Sequence, residues 1–293
     1  MNFKITTDST SDLPQAFYDT NNVSVVRMMG NFKGRQISDG FQDITVSEFY
    51  NALREGETST TSQITPPVME EFLRENLKDA DKILHFSLSS GLSGTVASSL
   101  LARDSVLEDP EFKGKKVEII DTKNATGGQG LLVYIACRLR DEGRSFEEVK
   151  EEIEKLVPRV NSIFTVEDLQ TLKRGGRISS MAASVGTILS IKPVLSINSE
   201  GKLIALTKAK GRRKAMSVMV DYINQLYDPG SYTKTFLCHG DDLEDAETLR
   251  EMILSKTSIE DIEIFPVGMV IGSHTGPGVL AFHFVGKEDI KLQ

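Results

Sequence analysis

Residues 82–102 read KILHFSLSSGLSGTVASSLLA, and this stretch decides the fold of the chain. Its apolar start, 82–86, is typical of a buried β-strand, and its end, 96–102, is typical of a helix. Between them, residues 87–95 are mostly serine, threonine and glycine. A turn of this kind presents unpaired N–H groups and hydroxyls beside the positive end of the helix dipole. It predicts a site for an anion, which is either a phosphate or a carboxylate.

The composition is that of an ordinary globular protein. The length of 293 residues favours two domains. The net charge of −8 argues against general nucleic-acid binding. No apolar stretch approaches the ~20 residues that span a bilayer, and the N-terminus lacks the pattern of a signal peptide. Cys137 and Cys238 form no CxxC pair and are expected to be buried free thiols in a reducing compartment. We therefore expect a soluble cytoplasmic protein without an integral membrane segment.

Strands and helices alternate through the first half of the chain. The predicted strands are 3–7, 23–28, 82–86 and 117–120, and the predicted helices are 46–53, 68–77, 96–102, 130–142 and 146–156. This alternation predicts an α/β fold with a mostly parallel sheet covered by helices on both faces.

The pattern changes after Pro158. The predicted strands are now 162–166, 192–197, 202–206, 234–238, 262–266 and 278–285, and the predicted helices are 167–172, 213–227 and 243–256. Asn198-Ser199-Glu200-Gly201 is a strong hairpin signal. Hairpins mixed with helices predict a second, α+β domain. We place the N-terminal α/β domain at residues 1–160 and the C-terminal α+β domain at 161–293.

Polar clusters follow three of the predicted parallel strands. They are 8–10 (DST), the serine-rich turn at 87–95, and 121–122 (DT), and a fourth cluster, 59–63 (STTSQ), precedes a helix. Ligands of open α/β sheets bind beyond the carboxyl ends of the strands. The same hydroxyl groups are also common helix caps, and for each cluster taken alone both interpretations stay open.

Familiar catalytic motifs do not account for these clusters. Residues 128–130 (GQG) lack the third glycine of GxGxxG, because Val133 stands in its place. The sequence has no GxxxxGK[ST] and no GxSxG elbow with matching acid and histidine. The four histidines show no metal-ligand spacing, so no metal site is expected.

Three further stretches are unusual. Residues 272–278 (GSHTGPG) predict a tight loop with His274 at its centre. That histidine is either exposed on a structural turn, or an imidazole that donates to an anion or carries a proton. Two basic groups, 173–177 and 208–214, lie on solvated faces by default. In an acidic protein they also suggest docking of phosphates or of an acidic partner.

In their order along the chain, these stretches resemble the DegV family of bacterial fatty-acid-binding proteins. The matching pieces are 7–13 (TDSTSDL), 61–63 (TSQ), 89–95 (SSGLSGT), 120–122 (IDT), 172–178 (LKRGGRI), 191–193 (IKP) and 274–278 (HTGPG). Each is weak alone, but the ordered set covers nearly the whole chain. Two positions depart from the family pattern: Ile64 stands where proline is common and Val96 where an aromatic residue is common. Neither residue is among those that, by the resemblance, would bind the carboxylate of the fatty acid.

The resemblance implies that one long-chain fatty acid lies in a buried tunnel between the two domains. By the matching positions, the carboxylate would be bound by Thr61, Ser62, Ser93, the N–H of Gly94 and His274. A separate ATP-dependent fatty acid kinase would phosphorylate this carboxylate, and the chain would then carry the acyl-phosphate to the acyltransferase enzymes of phospholipid synthesis. Arg174, Arg177 or Arg212 would contact the kinase or the new phosphate.

On this hypothesis the chain is a lipid carrier without catalytic residues, cofactor or metal. A carboxylate removed from water needs hydrogen-bond donors, each worth about 1.5–3 kcal/mol, and each buried methylene adds ~0.8 kcal/mol. Residues 181–189 (MAASVGTIL) either line the tunnel or form an ordinary core helix. Two other functions stay open. One is a small phosphotransferase or hydrolase that uses the serine-rich turn, with His274 as its acid–base group. The other is a ligand sensor that contacts a regulator through its basic clusters.

Overall fold

A computed structural model describes residues 3–177 and 191–287 of the chain. The strands are β1 Phe3–Asp8, β2 Ser24–Val26, β3 Met29–Phe32, β4 Arg35–Ser38, β5 Ser59–Ser62, β6 Lys82–Ser87, β7 Lys116–Asp121, β8 Val160–Thr165, β9 Ile191–Ile197, β10 Leu203–Lys210, β11 Lys234–His239, β12 Asp261–Pro266 and β13 Leu280–Val285. The helices are α1 Gln15–Thr20, α2 Val46–Arg54, α3 Pro66–Asp79, α4 Thr95–Glu108, α5 Gly127–Asp141, α6 Phe146–Leu156, α7 Leu169–Arg174, α8 Arg212–Leu226, α9 Leu243–Lys256 and α10 Met269–Thr275. The segment 181–189, predicted as tunnel lining or core helix, lies outside the described residues. No helix in the described ranges is long and apolar enough to cross a membrane.

The first sheet has the strand order β2-β1-β6-β7, with every neighbouring pair parallel. Successive residues of a strand face opposite sides, and β6 shows this clearly. Its Ile83 packs with α3 and α4, whereas Leu84 and Phe86 pack with α5 and α6. The predicted parallel sheet with helices on both faces is therefore confirmed. We call it the N-terminal sheet.

The second sheet has the order β10-β9-β8-β13-β11-β12 and is antiparallel except for the pair β11–β12. Helices α8 and α9 pack on its outer face, where Leu280, Phe282 and Phe284 lie. This mixed sheet confirms the predicted α+β half, and we call it the C-terminal sheet. Strand β8, the first strand of this sheet along the chain, begins at Val160, where the sequence analysis places the domain boundary. The division into domains at that residue stays a prediction.

Helix α5 packs between the two sheets, and glycines at its start allow this. A methyl group on Gly127 would meet the side chains of His283, Cys238 and Phe236 in the C-terminal sheet. A methyl group on Gly130 would meet the backbone and side chains that follow β1. Residues 131–137 of this helix are all apolar and almost all buried, as a helix segment packed between two sheets requires, and its charged residues are confined to the last turn. The GQG run thus serves close helix packing, which explains its partial likeness to a dinucleotide motif.

The third sheet, with the order β4-β3-β5, was not predicted. Its strands are four residues long and mostly polar, so they carry no clear apolar alternation. Lys33 and Gly34 form the tight turn between β3 and β4, both with positive φ (51° and 74°). The cluster 59–63, predicted only as a polar stretch before a helix, supplies β5 of this sheet. We call it the small sheet.

Helix α10 corrects the prediction of a tight loop at 272–278. Met269–Thr275 is helical, and only Gly276 and Gly278, with φ of 78° and 74°, form the turn after it. Gly272 lies inside the helix, and this position requires glycine because a side chain there would collide with the ring and hydroxyl of Tyr50. The helix comes from the C-terminal half, yet it packs against α2, β3 and β5. It therefore brings His274 to the small sheet.

Both cysteines are free and buried, as predicted from their apolar surroundings. Burial raises the pKa of the Cys137 thiol to about 12 and that of Cys238 well above its ordinary value. Both side chains are therefore neutral thiols at physiological pH and act as small core residues.

Candidate functional site: a cavity between the two sheets

A cavity of about 260 Å³ lies between the N-terminal and C-terminal sheets. Most of its wall is apolar: Met28, Leu88, Leu92, Ala125, Phe164, Leu172, Ile197, Leu203, Val267, Val270, Ile271, Val279 and Ala281. Polar groups line the remainder: Thr61, Gln63, Ser93, Gly94, Thr126, Ser162, Arg177, His274, Thr275 and His283. The wall draws on both halves of the chain, so the cavity exists only where the halves meet.

The serine-rich turn at 87–95, here called the serine loop, is held in place by the buried carboxyl group of Asp8. That group accepts from the Leu88 N–H at 2.8 Å and from the Ser87 hydroxyl at 3.3 Å. It also accepts from the Gln129 amide at 2.9 Å. The cluster 8–10 therefore supports the loop and does not line the cavity.

The far side of the serine loop is fixed by two more contacts. The Ser90 N–H donates to Asp121 Oδ1 at 3.1 Å, so the polar end of β7 is also structural. The Ser89 hydroxyl donates to the carbonyl of Gly201 at 2.8 Å, in the turn between β9 and β10. Gly91 lies against the same turn, where a side chain would collide with its backbone. Of the loop, Leu88 and residues 92–94 line the cavity.

Ser93 and Gly94 stand at the N-terminus of α4, as predicted. The Ser93 hydroxyl contacts the Thr95 hydroxyl at 2.9 Å and accepts from the Thr95 N–H at 3.3 Å. The first amide of the helix to reach a backbone carbonyl is that of Ser98, which donates to Gly94 O at 3.1 Å. Of the amides before it, that of Thr95 donates to Ser93, whereas those of Val96 and Ala97 are among the donors that a helix leaves unpaired, and they give this end a partial positive charge. An anion beside this end of the helix would be stabilised.

Thr61 lies on β5 and is paired in register with Gly30 of β3. Strand alternation separates it from its neighbour Ser62, which is exposed on the opposite face and does not line the cavity. The family resemblance implies five residues as hydrogen-bond donors to a carboxylate. The structure places four of them, Thr61, Ser93, Gly94 and His274, on the cavity wall and leaves Ser62 outside it. Gln63, the next residue along, does line the cavity and packs against Gly94.

His274 hydrogen-bonds Thr61, with 2.8 Å between Nε2 and Oγ1. Burial, and then the nearby positive charge of Arg177, lower the pKa of His274 to about 4. The imidazole is therefore neutral at physiological pH. When its Nε2 carries the proton and donates to Thr61, the threonine hydroxyl is free to donate to a ligand. The pair can thus present a hydroxyl donor to a carboxylate.

Arg177 lies at the junction of this cavity with a second one of about 350 Å³. It donates to the carbonyls of Leu92, at 3.1 Å, and of Gly175. Thr61, Arg177 and His274 line both cavities. The second cavity is rich in hydroxyl groups and is also lined by Arg174, which is exposed. A polar compartment with two guanidinium groups therefore adjoins the apolar cavity at Thr61, Arg177 and His274.

Arg212 lies away from both cavities. Its guanidinium group contacts three carboxylates: Glu167 at 3.2 Å, Asp242 at 2.8 Å and Asp245 at 2.7 Å. The side chain is 15 % exposed. This arrangement ties the start of α8 to α9 and to the loop before α7. Sequence reasoning grouped it with Arg174 and Arg177, but the structure does not bring it to them.

Three further polar residues at the cavity were not predicted from the sequence: Ser162 and His283 line its wall, and Asn124 lies behind Ser162. Ser162 on β8 and His283 on β13 face each other in register, with 2.7 Å between Oγ and Nδ1. Asn124, just before α5, accepts a short hydrogen bond from Ser162. We call Asn124, Ser162 and His283 the inner polar cluster. Nothing local in the sequence distinguishes His283 from a core residue of a strand, so no signal pointed to it.

The fold and the site define a two-domain α/β binding protein, in which an apolar cavity between two sheets ends at hydroxyl and helix N-terminal donors. Comparisons with known proteins make this specific. A family model described as an uncharacterised protein of the DegV family matches residues 2–287. The chain belongs to the DegV family, which confirms the resemblance drawn from its ordered motifs.

Individual relatives cover almost the whole chain. A DegV domain-containing protein of Clostridium perfringens is 41 % identical over 286 residues, which is 97 % of each chain. A solved structure concerned with fatty acid binding of a DegV family protein from Thermus thermophilus is 35 % identical and has a TM-score of 0.86, covering 98 % of this chain and 100 % of that one. The structure of DegV from Bacillus subtilis, described as a fatty acid binding protein, is 26 % identical with a TM-score of 0.84, covering 98 % and 100 %.

Proposed function

We propose that this chain binds one long-chain fatty acid in the cavity between its sheets, with the carboxylate at Thr61, Ser93, Gly94 and His274. The observation that carries the proposal is one cavity whose wall is mostly apolar and also holds the hydroxyls of Thr61 and Ser93 and the neutral imidazole of His274. Burial of methylene groups supplies affinity, at about 0.8 kcal/mol each, and the donors fix the orientation of the head group. The fatty acids named for the Thermus and Bacillus relatives support the same ligand class.

The proposed role is that of a carrier in the cytoplasm. A separate ATP-dependent fatty acid kinase would phosphorylate the bound carboxylate, and the chain would carry the acyl-phosphate to acyltransferases of phospholipid synthesis. The adjoining second cavity supports this, because Arg174 and Arg177 offer guanidinium groups beside the carboxylate end, and guanidinium groups suit phosphate oxygens. The phosphoryl group would enter this compartment while the acyl chain stays in place.

The geometry around Ser93 favours a carrier over a phosphotransferase or hydrolase. A nucleophilic serine needs a base within hydrogen-bond reach. The Ser93 hydroxyl bonds to Thr95, and the imidazole of His274 bonds to Thr61 instead. In this arrangement Ser93 serves as a donor to the ligand. Turnover of ATP or of a phosphate ester by the purified chain alone would contradict this assignment.

Native mass spectrometry of the purified protein tests the ligand. We expect an added mass that matches a C14–C18 fatty acid, and delipidated protein should take up the same acid one-to-one. Protein that is consistently empty, and that binds no added fatty acid, would refute the proposal. Addition of an ATP-dependent fatty acid kinase should then convert the bound acid to acyl-phosphate, whereas pull-down of a regulator in place of a kinase would favour a ligand sensor.

A further inference from the structure

The inner polar cluster leaves an unused hydrogen-bonding atom on the cavity wall. His283 lines the cavity and is 1 % exposed, and its Nε2 has no hydrogen-bond partner among the described residues. A buried polar atom without a partner costs about 1–3 kcal/mol. Since most of the cavity wall is apolar, a hydrogen-bonding atom without a partner is unusual there.

The hydrogen-bond chain behind His283 sets the role of that atom. The Asn124 amide nitrogen donates to the carbonyl of Val160 at 3.1 Å, so its oxygen faces Ser162 and accepts from the Ser162 hydroxyl. With its proton directed to Asn124, the Ser162 oxygen accepts from the Nδ1–H of His283. Nε2 is then the nitrogen without a proton. Burial lowers the pKa of His283 to about 3, so the ring stays neutral.

An unprotonated Nε2 accepts a hydrogen bond and repels a carboxylate. It therefore does not offer a second place for the head group. Its natural partner is a neutral donor that reaches it inside an apolar tunnel, and a hydroxyl group on an acyl chain is the simplest such donor.

The position of His283 fixes where on the ligand this donor must lie. The ring is on the fourth residue of β13, about 10 Å along the strand from Leu280, at which β13 begins after the turn that follows α10. His274, which bonds Thr61, belongs to α10 and so lies on the other side of that turn from β13. A hydroxyl group that reaches Nε2 is therefore in the middle of the acyl chain and not beside the carboxylate.

We infer that His283, held by Ser162 and Asn124, forms a subsite for a mid-chain hydroxyl group, and that hydroxylated long-chain fatty acids belong to the ligands of this protein. This inference rests on the proposed fatty-acid function and names a substrate class within it. The hydroxyl group would fill the vacant acceptor on the wall, and its own loss of hydration would be compensated by that bond.

The test compares ligands rather than absolute affinities. Delipidated protein is titrated with stearate, 10-hydroxystearate, 12-hydroxystearate and 2-hydroxystearate, and the dissociation constant of each hydroxy acid is divided by that of stearate. In His283→Phe, whose ring fills the space without an acceptor, we expect the ratio for one or both mid-chain hydroxy acids to rise about tenfold. The ratio for 2-hydroxystearate should not change.

His85→Phe is the matched control. His85 is also fully buried with an unpartnered Nε2, and its Nδ1 bonds the Thr6 hydroxyl at 2.9 Å, but it does not line the cavity. For this variant, the ratio of each hydroxy acid's dissociation constant to that of stearate should equal the ratio in the unaltered protein. If the ratios for 10-hydroxystearate and 12-hydroxystearate do not change in His283→Phe, the subsite is refuted. Binding of stearate in the same experiment would still support the proposed function. Failure of stearate itself to bind would refute the proposed function first.

A second measurement needs no substitution. In protein labelled with ¹⁵N on its histidines, the Nε2 resonance of His283 should move upfield when the bound stearate is replaced by a mid-chain hydroxystearate, as expected for an unprotonated nitrogen that gains a donor. Identical resonances with both ligands would overturn the inference even if His283→Phe does not fold.

Discussion

Thr61 and His274 are 213 positions apart in the chain, and their side chains meet at 2.8 Å across the boundary between the small sheet and α10. One residue comes from the N-terminal half and the other from the C-terminal half. The part of the cavity that holds Thr61 and His274 is therefore assembled by the packing of α10 on β5. This relationship governs what substitutions at the site should do.

Removal of the two hydroxyls that we propose as hydrogen-bond donors to the carboxylate should weaken fatty-acid binding. We expect Thr61→Val and Ser93→Ala each to raise the dissociation constant about tenfold, because each removes a hydrogen bond to a charged group. Titration calorimetry on delipidated protein measures this. Ser62→Ala is the matched control, since Ser62 lies on the opposite face of the same strand and should bind as before. An unchanged affinity in the double variant Thr61→Val/Ser93→Ala would remove both residues from the site.

Fatty-acid binding should raise the pKa of His274. In the free protein burial and Arg177 hold it at about 4, and a carboxylate beside the ring favours the charged form. NMR titration of the ring resonances should show the increase, while His85, whose pKa is also about 4 but which lies outside the cavity, should titrate alike in both states. A His274 pKa that falls or stays constant on binding would place the carboxylate elsewhere.

His274 should also matter for the kinase step. We expect His274→Ala to reduce kinase-coupled phosphorylation of the bound acid at least tenfold, because Thr61 loses the partner that orients its hydroxyl group. The measurement is acyl-phosphate formation with saturating fatty acid, so that weaker binding does not account for the loss. Normal turnover would show that this orientation is not required.

The basic residues should separate into two classes. Arg174→Ala should reduce kinase-coupled phosphorylation with little change in stability, since Arg174 is exposed and its recorded contact is a 3.3 Å bond to Thr171. Arg212→Met should lower the free energy of unfolding by about 1–3 kcal/mol, since it leaves Asp242 and Asp245 without their cation, whereas Glu167 keeps its ion pair with Lys192. The folded fraction of Arg212→Met should still support phosphorylation. The reverse pattern would assign partner contact to Arg212.

The stability of the protein should carry a pH dependence from His283. The pKa is about 3 in the folded state and near 6.5 when unfolded, so between these values the unfolded chain binds a proton that the folded chain does not. The contribution to stability is therefore lost as the pH falls below about 6.5. From pH 7 to pH 5, unaltered protein should lose about 2 kcal/mol relative to His283→Phe in urea unfolding. Parallel pH curves for the two proteins would contradict this.

Position 127, at the start of α5, should tolerate no side chain. Gly127→Ala would drive a methyl group into His283, Cys238 and Phe236, and we expect a loss of about 1–3 kcal/mol in the free energy of unfolding. Gly230→Ala is the control, because a methyl group there meets only Asp228 at an ordinary distance. Equal stabilities of the two variants would show that the sheets can move apart at no cost.

The sequence allowed prediction of the features that local patterns determine. The strand–turn–helix at 82–102 places Ser93 and Gly94 correctly, because a helix N-terminus follows from the turn residues themselves. The two sheets follow from alternation of strands and helices. These features need no knowledge of distant contacts.

The remaining features depend on contacts between distant residues. Gly272 suggested a loop, but a glycine is needed there because the ring of Tyr50, more than two hundred residues away in the chain, packs against it. Ser62 was grouped with Thr61 because the short polar strand β5 was not recognised, and strand alternation is what separates the two. His283 could not be distinguished from a core residue, because its role depends on Ser162 and Asn124.

The glycine start of α5 has a consequence for how such a protein can be adapted. A side chain added at Gly127 would push against the C-terminal sheet, and one at Gly130 would push against the residues that follow β1. A substitution at either glycine therefore acts on the stability of the whole molecule. Ile197 and Leu203 instead lie on either side of the turn between β9 and β10 and line the cavity directly. Under the proposed function, substitutions at these two residues would change the room for an acyl chain and leave the first turn of α5 as it is.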